Sequence, residues 1–171
     1  MTTVASILKS KPDAAVHSIG PDDSVYDAVK LMADKQIGAL LVMQEGRVVG
    51  IVTERDYARK IVLMARSSKE TAVRTIMTSQ VFAVRPDQTS QQCMALMTAR
   101  RFRHLPVMAG DRVIGMLSMG DLVKVIISEQ DMLGDKLARP RKRKSSAAVI
   151  ADAAALSAGA LIVHVEHSVG R

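Results

Sequence analysis

Apolar and polar positions along this chain fall into blocks whose period changes in a fixed order. Val16 to Ile19 is a brief extended run that stops at Gly20-Pro21, a pair that turns the chain away from helix. From Ser24 the period is helical. Val25, Ala28, Val29 and Met32 share one side, Ser24 supplies a capping hydroxyl, Asp27 stands at the capping-box distance, and Gly38 falls where the helix is predicted to end. Ala39 to Met43 is a continuous apolar run of strand length. Gln44 to Arg47 has the length and glycine of a hairpin turn, and Val48 to Val52 reads as the returning strand. Glu54 to Ala65 is predicted helical, with Tyr57, Ile61 and Met64 on one side.

The same order then recurs. Val81 to Val84 reads as a strand and Gln88 to Arg101 as a helix carrying Met94, Leu96 and Met97. Leu105 to Met108 and Val113 to Leu117 flank a turn at Ala109 to Asp111, and Leu122 to Leu133 closes as a helix before Gly134. Val4 to Leu8 and Val73 to Met77 read as short helices that open the two units. The two passes are one pattern in a constant register: Gly50 and Gly115, Thr53 and Ser118, and Asp56 and Asp121 are each 65 residues apart. Between Pro21–Asp56 and Pro86–Asp121, 11 of 36 positions are identical, which two copies of one supersecondary unit explain better than chance. The predicted class is α/β (α+β): two units of strand-helix-strand-strand-helix, residues 1–68 and 69–137, each too small to bury its sheet alone, followed by a basic, unstructured tail over 138–171.

The duplicated Gly50-x-x-Thr53-x-x-Asp56 and Gly115-x-x-Ser118-x-x-Asp121, the apolar hairpins before them and the run Leu105-Pro106-Val107 resemble a tandem pair of cystathionine-β-synthase (CBS) domains, or Bateman module. The resemblance covers about Met1 to Gly134. It implies two repeats related by a pseudo-two-fold axis, clefts between them that bind adenosine-containing ligands, and pairing of modules through their helices into a homodimer. AMP, ADP, ATP, NAD and S-adenosylmethionine all fit that class. By the family pattern the base lies against Val16, His17, Ser18, Ile37, Gly38 and Ala39 in one repeat and Phe82, Ala83, Phe102, Arg103, His104 and Pro106 in the other.

The residue types suit that role. Asp56 and Asp121 offer carboxylates able to accept both hydroxyls of a ribose. Thr53 and Ser118 place hydroxyls beside a helix N-terminus, where free N–H groups and the helix dipole favour a phosphate. The same hydroxyl-x-x-acid spacing is also a capping box, worth about 0.5–2 kcal/mol with no ligand at all; both roles can coexist. The two sites are expected to be unequal. Arg103-His104 stands where the first repeat has Gly38-Ala39, so Arg100, Arg101, Arg103 and His104 form a cationic cluster on one side and Arg55 is the local cation on the other.

Composition narrows the classes. The chain is 48% hydrophobic yet has only four aromatic residues and no Trp, so a flat ligand would meet mostly aliphatic walls. One cysteine, Cys93, rules out an intrachain disulfide and fits a reducing, cytoplasmic setting; Met1 to Ser10 has no apolar run of signal-peptide length. Met32, Met43 and Met64 read as packing residues. Of the formal charge of +7, the tail holds more than half, with six Lys or Arg against two acids. The run Arg139 to Lys144 therefore supports an alternative, a nucleic-acid-binding regulator, without extending it to the folded body. Ala147 to Val163 is interrupted by Asp152 and Gly159, and no membrane span is expected. Catalysis finds little support. Ser118 and Asp121 have no histidine beside them in sequence, although His104 could approach in space. Cys93 reads as a structural thiol, and His164-x-x-His167 has metal-like spacing but only Glu166 as a further ligand. There is no glycine-rich phosphate loop. The expected protein is a non-enzymatic sensor with no catalytic cofactor and no metal, acting through a dimer or an unknown regulated partner.

Overall fold

A computed structural model describes residues 1–134 and 161–163. In chain order the elements are α1 (Val4–Ser10), β1 (Ser18–Ile19), α2 (Val25–Lys35), β2 (Ala39–Gln44), β3 (Arg47–Thr53), α3 (Glu54–Tyr57), a π-helical turn (Ala58–Val62), a 3₁₀ turn (Val73–Thr75), β4 (Val81–Ala83), α4 (Ser90–Arg100), β5 (His104–Ala109), β6 (Arg112–Ser118), α5 (Met119–Gly134) and β7 (Leu161–Val163). The fold is α+β, and its two repeats are the two passes of the sequence pattern.

Among the described residues, one compact unit is Val16–Val81 with Ile162 and Val163; the other joins Met1–Ala15 to residues 82–134 and Leu161. The division by repeat at 68/69 thus differs from the division by packing. Val4, Ile7 and Leu8 of α1 sit in a core with Val84, Cys93, Leu96, Met97, Leu105, Val107, Leu117 and Leu122 of the second repeat. Val73 and Ile76 sit with Val25, Ala28, Met32, Leu40, Val42, Val52 and Ile61 of the first. The hydrogen bonds are equivalent. Val4 N–H reaches Gln88 O at 2.8 Å and Ala5 N–H reaches Pro86 O at 2.9 Å, while Val73 N–H reaches Asp23 O and Arg74 N–H reaches Pro21 O, both at 2.9 Å. The opening segments are equivalent, as the pattern predicts, but each completes the other repeat's unit. Glycine makes room for them: a Cβ on Gly115 would lie 2.7 Å from Leu8 Cδ2, and one on Gly50 2.6 Å from Met77 Sδ. Thr2 closes the second unit by donating its N–H and its hydroxyl to Glu129 Oε1, at 2.7 and 2.5 Å.

Within each repeat the hairpins superpose in detail, including a register shift at Val42/Met43 and again at Val107/Met108. The preceding strands differ for one covalent reason. In the first repeat β1 pairs parallel with β2, and Leu41 N–H donates to His17 O. The residue equivalent to Leu41 is Pro106, which has no N–H, so the second repeat retains only the bridge Val84–Val107. β4 pairs instead with β7. Three residues of the predicted unstructured tail therefore carry regular structure; Arg139 to Lys144, His164 and His167 lie outside the described residues.

Ser24 caps α2 as predicted, and Thr89 caps α4, which begins two residues after its predicted start at Gln88; each accepts the N–H three residues on. The end of α4 falls at Arg101 as predicted, but Gly38 lies two residues too late for α2, which stops at Gln36. Both caps are left-handed (φ 54° at Gln36 and 58° at Arg101), with Ile37 N–H returning to Met32 O and Phe102 N–H to Met97 O. Met64 departs from expectation too. The π-helical turn after α3 shifts the helical face, leaving Ile61 buried but Met64 59% exposed. No helix among the described residues is long and apolar enough to cross a membrane.

Candidate functional site

Each repeat ends its hairpin on a hydroxyl that caps the following helix. Thr53 N–H and Oγ1–H both donate to Asp56 Oδ2, at 3.0 and 2.7 Å, and Asp56 N–H donates back to Thr53 Oγ1 at 3.2 Å. Ser118 and Asp121 repeat this geometry at 2.8, 2.7 and 3.2 Å. The next N–H is committed as well: Glu54 N–H reaches Gly38 O at 3.2 Å and Met119 N–H reaches Arg103 O at 2.8 Å. Two of the first three helix amides in each repeat are thus satisfied by the protein, which leaves less for a phosphate than the bare sequence pattern implies.

The carboxylates carry a further partner absent from the sequence reading. Lys60 Nζ lies 2.8 Å from Asp56 Oδ1 and donates to Ile76 O at 2.5 Å. Lys11 Nζ lies 3.0 Å from Asp121 Oδ2 and donates to Met116 O at 2.9 Å. Lys60 stands four residues after Asp56 on the same helical stretch, a spacing readable from sequence. Lys11 is 110 residues from Asp121 and had no such signal. The two lysines leave the acids differently disposed. Among the described residues all three donors to Asp121 fall on Oδ2, so they leave its Oδ1 its acceptor capacity, whereas Oδ1 of Asp56 already holds Lys60. Asp121 is a stronger acid than usual. Burial works the other way, but the Ser118 hydroxyl and N–H and the Lys11 ammonium outweigh it.

His104 lies opposite Ser118 across the β5–β6 pair, so the structure does bring His104, Ser118 and Asp121 into one neighbourhood. They do not form a relay. The Ser118 hydroxyl donates directly to Asp121, and burial, then the Arg103 charge, lower the imidazole pKa; Asp121 opposes this and Lys11 adds to it. A neutral His104 supplies no cation at neutral pH.

The remaining predicted residues divide by exposure. Arg103, Arg55 and Ser18 are exposed; Val16, His17, Ile37, Gly38, Phe82 and Phe102 are half-buried; Ala39, Ala83 and Pro106 are buried and offer a ligand little surface. Phe82 and Phe102 stack on each other with centroids 5.5 Å apart, and the Arg100 guanidinium lies 5.0 Å over the Phe82 ring. Arg100 is therefore engaged with an aromatic face rather than standing as part of a loose cationic cluster. Cys93 is fully buried and its thiol is pushed up to about 12 by burial, the behaviour of a structural thiol. Among the described residues there is no group of three or more His, Cys, Asp or Glu that could hold a metal ion.

Fold and site together define a pair of hairpin-and-helix repeats with matched capping carboxylates. Residues 4–63 and 73–128 each match the CBS domain family, and the chain belongs to it. It is 57% identical to a CBS-domain protein from Burkholderia ambifaria MC40-6 of known structure, covering 75% of this chain and 96% of that one with a TM-score of 0.73. The CBS-domain containing protein ATU1752 from Agrobacterium tumefaciens is 36% identical over 73% of this chain and 99% of its own, with a TM-score of 0.70. The mitochondrial CBS domain-containing protein CBSX3 of Arabidopsis thaliana is 43% identical over 136 residues, 75% of this chain; the match spans 66% of that protein's length.

Proposed function

We propose that this CBS-domain pair is a sensor that binds an adenosine-containing ligand of the AMP, ADP, ATP or NAD type at the hydroxyl–carboxylate site of each repeat and signals through a dimer or a partner protein. The observation that carries the reading is the duplicated cap at Thr53–Asp56 and Ser118–Asp121, whose carboxylates keep acceptor positions beyond those the caps use. A ribose presents two hydroxyl donors to such a group. Phe82, Phe102, Arg103 and His104 would flank the ligand in the second repeat, and Val16, His17, Ile37, Gly38 and Arg55 in the first. Asp121 has the more open oxygen, so the second site is the tighter one for a diol.

Self-association draws support from apolar side chains left on helices. Val123 and Ile127, one turn apart on α5, are 43% and 53% exposed, and Val62 and Leu63 after α3 are 58% and 77% exposed. The role is binding rather than catalysis, and the buried single thiol suits a reducing compartment such as the cytoplasm.

Calorimetric titration with AMP tests the reading. Asp56→Ala and Asp121→Ala should each abolish or weaken one site by about 1.5–3 kcal/mol, the range for a hydrogen bond to a charged group. Unchanged stoichiometry and affinity in the double variant would reject it.

A further inference from the structure

Both capping carboxylates are paired with a lysine, and the repeat does not account for it. The position equivalent to Lys60 in the second repeat is Val125, and the residue that follows the 3₁₀ turn as Lys11 follows α1 is Gln80. Neither lysine therefore has a counterpart produced by the duplication. One reaches its acid from the next turn of the same helix, the other from the end of α1, yet the arrangement is the same. In each case one N–H of the ammonium goes to the carboxylate and another to a backbone carbonyl, Ile76 O or Met116 O. Stability alone is an incomplete reason for two separate routes to one geometry: the acids are only 15% and 17% exposed, but each lysine keeps contact with water, which screens the pair. The side chains of Lys60 and Lys11 are 41% and 22% exposed.

Charge is a better reason. A bare carboxylate that holds a ribose repels whatever anionic group the same ligand carries. Paired with an ammonium it is neutral overall, and the pair presents an acceptor oxygen beside an N–H that no described residue uses. We infer that Lys11 and Lys60 are specificity residues of the proposed adenosyl-ligand sites: each neutralises its capping aspartate so that a phosphorylated ligand is accepted where an uncharged nucleoside would otherwise be preferred. The inference rests on the adenosyl-ligand reading above and adds to it a residue pair outside the predicted set.

The test is titration of the full chain, as wild type, Lys11→Met, Lys60→Met and Lys11→Arg, with adenosine and with AMP. The readout is the ratio of the two affinities, which a general loss of folding would not change selectively. Each methionine variant should lower the AMP-to-adenosine ratio at one site by about tenfold, the scale of one charge-assisted contact. Lys11→Arg, which keeps the charge, should restore it. An unchanged ratio in both methionine variants, or a ratio that arginine fails to restore, would overturn the inference while leaving the sites themselves intact. If wild type bound neither adenosine nor AMP, the adenosyl-ligand reading would fall, and this inference with it.

Discussion

The two repeats share everything that ties hairpin to helix and differ in what stands at the open ends of their strands. The caps at Thr53 and Ser118 agree to within 0.2 Å in each bond, and the strand irregularity falls at the same place. By contrast, the two-residue pairing of β1 shrinks to one bridge in the second repeat, Gly38-Ala39 becomes Arg103-His104, and His17-Ser18 becomes Phe82-Ala83. Duplication has kept the parts that a backbone needs and released the parts that the proposed ligand would meet. Divergence concentrated there argues for two sites with different preferences on one scaffold.

The largest test of that contrast concerns the exchanged opening segments. Ile7→Ala and Ile76→Ala each remove a buried branched side chain and should cost about 2–5 kcal/mol. Hydrogen exchange would locate the damage. Ile7→Ala should raise exchange in β5, β6 and α5, and Ile76→Ala in β2 and β3; the reverse assignment would break the packing division described above. Next in size is the phosphate contrast. Arg103→Ala should weaken AMP about tenfold, roughly 1.4 kcal/mol, and adenosine much less. Equal losses would mean that Arg103 supports the repeat rather than reading charge. His104 should add no charge attraction to AMP binding at neutral pH, since its imidazole titrates below its ordinary value.

A smaller effect is expected at Ser90, which is fully buried at the start of α4 with no partner for its hydroxyl among the described residues. Ser90→Ala removes an unsatisfied group and should stabilise the second unit by about 1 kcal/mol, read as a higher melting temperature. The smallest effect is pH dependence at Asp121, because burial opposes the bonds that favour its ionised form. The folded pKa is depressed, so this contribution is complete above the unfolded value of about 3.9 and is lost as pH falls through the folded one. Asp121→Asn should therefore flatten the acid side of a melting-temperature profile.

Most of the fold was legible because strand and helix periods switch cleanly and then repeat. The hydroxyl–aspartate caps were legible for the same reason. What escaped has specific causes. The α2 end uses Gln36 in a left-handed conformation with no glycine at that position to mark it. Met64 turned outward because a π-helical turn has no sequence period of its own. The opening segments were recognised as equivalent and read with the repeats they precede, but their packing was not legible, since their spacing is 69 residues rather than 65 and periodicity says nothing about which core a short helix enters. Lys60 could have been found at i+4 from Asp56. Lys11 could not, because only the fold brings it to Asp121.

The crossing of α1 into the second unit has a consequence for biosynthesis. The core cluster of the first repeat lies within one stretch, from Val25 to Ile76, and can form soon after the last of these residues leaves the ribosome. Val4, Ile7 and Leu8 emerge before all of it, yet their partners extend to Leu122. For most of translation this apolar turn has no core to enter, and its contacts are among the longest in the chain, the kind that form slowly. On a polysome, where several copies grow side by side, that waiting segment is free to dock into a neighbour's second unit, so the route by which strands and helices exchange between chains is open here from the first turn onward.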